Sequence, residues 1–97
     1  MEKEFVTYKQ ALAIKELKFD DMCFAFYRSP IIELMRCRNS EPWMGNSVVS
    51  APLKQQIFRW LSIKLDMPDL MIPIDDLAQN TLIDKLILEL KSKHLLL

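Results

Sequence analysis

The chain has 97 residues, 51% of them hydrophobic, with 13 basic side chains against 13 acidic ones and no formal net charge; this describes one small domain with one core. A pI near 6.6 argues against a dedicated, globally basic nucleic-acid binder. The single glycine, Gly45, excludes the phosphate-cradling loops, which need several, and the single histidine, His94, removes most zinc and triad arrangements.

The elements follow in chain order. Met1-Glu2-Lys3-Glu4 mixes charges and precedes a capped helix, which reads against a signal peptide. Thr7 and Gln10 have capping-box spacing, and Val6 and Ala11 stand at staple positions. Tyr8, Ala11, Leu12 and Phe19, widened by Ile14 and Leu17, share one face at helical spacing. The first helix is therefore expected from Thr7 to about Lys18, with Asp20-Asp21 turning the chain. Met22 to Arg28 reads as a strand, with Met22, Phe24 and Phe26 on one face and Cys23, Ala25 and Tyr27 on the other. Two apolar faces imply a central or covered strand. After the Ser29-Pro30 break, Ile31 to Arg38 reads either as a returning strand, the preferred assignment, or as a short helix capped by Ser29.

Asn39 to Ser50 is rich in loop signals (Asn39-Ser40, Glu41-Pro42, Gly45-Asn46), with Val48-Val49 as a short edge strand. The second helix is expected to begin at Pro52, capped by Ser50 or Ala51, with Leu53, Ile57, Trp60, Leu61 and Lys64/Leu65 as its core stripe, before Met67-Pro68 stops it. Asp69 to Ile74 is an apolar connector. A third helix is expected from Asp75 to about Lys93, with Leu82, Ile83, Leu86, Ile87 and Leu90 buried and Leu77 and Leu88 outside. Its acidic start and its basic end, with His94 in the last turn, suit the helix dipole. The predicted fold class is α+β, a single small domain over residues 1–97 in the order helix, β-hairpin, helix, helix.

No residue set carries a reaction. Cys23 lies within an apolar strand, where a thiol behaves as a small hydrophobe. Cys37 lies between Arg36 and Arg38, which could activate it, but no general base is near in sequence, so a neutral thiol is the preferred reading. With no export signal evident, both cysteines are expected to be reduced. Asp20-Asp21 and Asp75-Asp76 suit turns and caps better than a metal. No enzyme, metal or cofactor is expected, and no apolar run approaches a membrane span.

Charge distribution says more than net charge. Arg28 to Lys64 holds six bases against Glu33 and Glu41, a balance of +4, whereas Leu65 to Asp84 holds five aspartates and no base, a balance of −5. Opposite segments suit complementary docking to a macromolecule. Candidate partner-binding residues are Arg28, Arg36, Arg38, Lys54 and Arg59, with Met71 in the connector and with Trp43 and Met44 in a polar loop, where they are either apolar anchors or tucked onto the core. The high apolar content of so short a chain also points to a partner surface or a homo-oligomer.

Two blocks carry a resemblance. Thr7-Tyr8, Gln10-Ala11-Leu12, Lys15-Glu16-Leu17, Phe19-Asp20, Cys23-Phe24 and Tyr27, then Ala51-Pro52-Leu53, Gln55-Gln56 and Phe58-Arg59-Trp60, resemble a family of small, mostly uncharacterised proteins of Bacteroidetes phages and prophages. The match covers about a third of the chain and consists of packing and capping residues. Family members carry glycine where this chain has Lys18, and a longer stretch with a second hairpin between the last two helices. The resemblance implies a phage protein of the host cytoplasm. By analogy of origin it suggests an inhibitor of a bacterial defence effector, with anti-CRISPR proteins that block guide RNA loading or target access of an RNA-targeting CRISPR nuclease as the model. A small RNA- or DNA-binding regulator and an oligomeric structural or accessory phage protein are the alternatives.

Overall fold

The computed structural model describes residues 2–28, 31–45 and 48–96. The Ser29-Pro30 break and Asn46 lie outside the described residues, and so does the side chain of His94. The fold is α+β: a helix, a β-hairpin extended to a three-stranded antiparallel sheet, and two further helices. The chain divides into two compact units, Met1–Leu53 and Lys54–Leu97.

In the first unit, helix α1 spans Tyr8–Glu16, and Thr7 caps it as its spacing predicts. The Gln10 N–H donates to the Thr7 hydroxyl (3.1 Å), and the Thr7 N–H donates to the Gln10 side-chain oxygen (2.9 Å). Such a cap contributes about 1 kcal/mol. Val6 and Ala11, at the staple positions, are both fully buried. Ala11, Ile14, Leu17 and Phe19 are core residues, while Tyr8 and Leu12 are only half-buried. The helix ends in a Schellman turn: the Phe19 N–H donates to the Ile14 carbonyl (3.0 Å) and the Lys18 N–H to the Lys15 carbonyl (3.1 Å). That turn needs a left-handed residue, and Lys18 occupies it at φ 70°.

Strand β1 (Cys23–Arg28) is central, flanked by β2 (Ile31–Cys37) and β3 (Val48–Ser50), so the order is β2-β1-β3. The strand assignment for residues 31–37 is the observed one. Tyr27 anchors α1 to the sheet: its hydroxyl donates to the Val6 carbonyl (2.7 Å), and its ring meets Tyr8 edge-on. Phe24, expected under cover, is exposed instead.

In the second unit, helix α2 spans Lys54–Lys64, two residues later than expected from Pro52. Pro52 and Leu53 belong to the first unit's extended backbone: the Pro52 carbonyl accepts the Val6 N–H (3.1 Å), and Leu53 bridges to Phe5. The buried residues of α2 are Ile57, Phe58 and Leu61, followed by Leu65. Trp60, expected in this stripe, is half-buried, with the Lys64 ammonium 5.8 Å from its ring centroid. Helix α2 also ends in a Schellman turn, Met67 N–H to the Ser62 carbonyl (2.8 Å), with Asp66 left-handed at φ 55°. Helix α3 spans Asp76–Leu96; Asp75 caps it by accepting the Ala78 N–H (2.9 Å). Ile83, Leu86, Ile87 and Leu90 form its buried stripe, and α2 and α3 pack on each other.

Candidate functional site

The hairpin presents an apolar surface that periodicity alone does not reveal. Register places Phe26 opposite Glu33 and Arg28 opposite Ile31, so these four share one face with Phe24. Between the Cys23–Cys37 and Ala25–Leu34 pairs the register shifts by one residue, which leaves Phe24 facing two residues, Met35 and Arg36. Ile31 and Met35 are exposed along β2 on the face of Phe24, itself exposed, whereas Leu34, opposite Ala25, is exposed on the other face. Because β2 is an edge strand, its outer backbone groups have no neighbouring strand within the sheet. Sequence reasoning missed these four residues. Their signal was the broken alternation of Ile31-Ile32-Glu33-Leu34-Met35, which places apolar side chains on both faces.

Trp43 joins this face. The loop after β2 makes a 3-10 turn over Pro42–Met44, which sends two neighbouring side chains in opposite directions. Trp43 meets Phe26 edge-on and stays 43% exposed, whereas Met44 is 1% exposed. The Lys15 ammonium fixes the turn, donating to the Gly45 carbonyl (3.0 Å) and toward the Val48 carbonyl (3.4 Å). Asn39 holds the other side: its amide donates to the Phe19 carbonyl (2.9 Å), and its oxygen accepts the Ser50 N–H (3.0 Å). Met44 is therefore a core residue and not a partner anchor.

The basic candidates separate in the same way. Arg28 donates to Glu33 (3.0 Å) and lies 5.7 Å from the Phe26 ring centroid, an exposed pair that contributes little to stability. Arg36 and Arg38 are exposed and meet no acidic side chain among the described residues. Lys54 is 4% exposed and pairs with Asp76, tying the first turns of α2 and α3 together, so it offers no surface to a partner. Arg59 is exposed on α2 and Met71 on the connector, both in the second unit. The hairpin thus carries Arg28 at its turn end, Arg36 and Arg38 around Cys37 at its other end, and Trp43 against Phe26 between them. Lys54, Arg59 and Met71 belong to a different unit.

Cys37 is not an activated thiol. Cys23 and Cys37 are buried and opposite each other across β1 and β2. The Cys37 S–H donates to the Ala25 carbonyl (3.1 Å). Burial, with Glu41 adding to it, pushes the Cys37 thiol up to about 11, so the flanking arginines do not activate it. Among the described residues no three histidine, cysteine or carboxylate side chains gather to hold a metal ion, and no helix is long and apolar enough to cross a membrane. No protein-family model matches this chain, nor does any curated protein or solved structure.

Proposed function

We propose that this chain is a phage-derived, non-enzymatic inhibitor that binds a bacterial defence effector in the host cytoplasm. The observation that carries the reading is the hairpin surface, where Phe24, Ile31, Met35 and Trp43 are exposed beside Arg36 and Arg38, which meet no acidic side chain among the described residues. Exposed aromatic and aliphatic anchors with a charged rim are the composition of a protein interface. The open edge of β2 adds backbone groups that an extended segment can pair with. The mechanism is occlusion: an effector surface covered by the hairpin no longer loads guide RNA or admits its target. The resemblance to phage proteins makes an RNA-targeting CRISPR nuclease the first effector to test.

The experiment is a single-turnover RNA cleavage assay with the purified effector and increasing amounts of this chain, added before or after guide RNA. Inhibition that saturates near one chain per effector supports the reading. Undiminished cleavage across the effectors of a native host rejects it.

Single-stranded nucleic acid is the second reading. Phe24 beside Arg36 on a sheet offers a stacking surface of the kind that binds unpaired bases. Zero net charge and the engagement of Arg28 with Glu33 weigh against it. A sub-micromolar gel shift at physiological salt by the chain alone would promote this reading over the first.

A further inference from the structure

We propose that the chain associates with a second copy of itself, the hairpin of one copy seating on the connector of the other. The inference rests on the hairpin being a docking surface, as argued above, and names the chain's own connector as a further occupant. The connector after α2 and the first turn of α3 form another exposed apolar surface. Met71 is 86% exposed and Ile74 fully exposed, with Ile72 and Leu77 exposed beside them. The charges within Leu65 to Asp84 have the sign opposite to those of the hairpin, and Lys85 lines the surface beside Leu77. Asp66 and Asp69 are exposed and meet no basic side chain among the described residues, and no base occurs from Leu65 to Asp84.

The two surfaces therefore complement each other twice, apolar against apolar and arginine against aspartate. Like charges disfavour hairpin on hairpin and connector on connector, so the mixed contact is selected. The contact joins unlike surfaces. Two copies close as a pair when both contacts form between them, and run head to tail when each copy uses its two surfaces on different neighbours.

Sedimentation velocity over a dilution series, from low micromolar to near millimolar, reads the association, which weakens as salt rises. Arg36→Glu with Arg38→Glu weakens it about tenfold or more, and Asp66→Lys with Asp69→Lys does the same. Lysine is tolerated at position 66, because Lys18 already holds the equivalent left-handed position at the end of α1. Met71→Asp is the second connector variant, and thermal melts confirm that each variant folds. All four charge changes in one chain restore association, since both surfaces then change sign together. A chain that stays monomeric throughout, or a fourfold variant no better than either pair, overturns the inference. A monomer that still inhibits an effector through its arginines overturns this inference alone. A self-associating chain that inhibits none overturns the proposed function alone.

Discussion

Trp43 meets Phe26 edge-on, with ring centroids 5.3 Å apart and an interplanar angle of 78°. The contact places a half-exposed indole on the sheet face that carries Phe24 and Arg28, while the next residue, Met44, turns into the core. Neighbours in sequence thus have opposite roles. Met44→Ala is expected to cost ~2–5 kcal/mol of stability through lost burial and a cavity. Trp43→Ala costs about 1–2 kcal/mol, the worth of one aromatic pair and a partly buried ring. Denaturant titration of both variants checks the order, and equal losses would contradict it.

Lys18 and Asp66 hold the left-handed position of two Schellman turns in a chain with a single glycine. A side chain at positive φ crowds its own backbone, more for lysine than for aspartate. Lys18→Gly is expected to stabilise the protein by about 0.5–1 kcal/mol after the entropy that glycine adds to the unfolded chain. Asp66→Gly is expected to gain less. A thermal melt that falls on Lys18→Gly would contradict the assigned geometry.

Cys37 gives a pH signature. Its thiol is raised from 9.0 to about 11 in the folded protein, so the unfolded chain ionises first. Stability from this group is fully present below pH 9 and is lost as pH rises towards 11, by about 2–3 kcal/mol in total. Cys37→Ala removes that slope, although it lowers stability at neutral pH through lost packing. Urea titrations of both proteins at pH 8 and pH 10 measure it. Parallel pH profiles would contradict the assignment.

Local signals were legible and non-local ones were not. Thr7 with Gln10 and Asp75 with Ala78 cap within three residues of themselves, so capping-box spacing placed the first helix start and the acidic pair Asp75-Asp76 placed the third. Pro52 looked like a first helical residue, but its carbonyl and Leu53 are claimed by Val6 and Phe5, far back in the chain. The division between Trp43 and Met44 depends on Lys15 reaching Gly45, thirty residues on, which no window of sequence contains. The exposure of Phe24 depends on α1 packing against the opposite face of the sheet through Tyr27, a contact between segments far apart in the chain. Trp60 followed the helical period but falls at the margin of the buried stripe, where Phe58 is buried instead.

The most direct test of the hairpin as the functional surface is the affinity of a captured RNA-targeting effector for three forms of the chain, measured by surface plasmon resonance at several salt concentrations. Reversing Arg36 and Arg38 to glutamate is expected to weaken binding about tenfold or more, mainly through slower association, with thermal stability nearly unchanged. Met71→Asp is expected to leave effector binding intact, because the surface assigned to the effector is the hairpin. Binding that survives the arginine reversals and is abolished by Met71→Asp would contradict the account and move the functional surface to the connector.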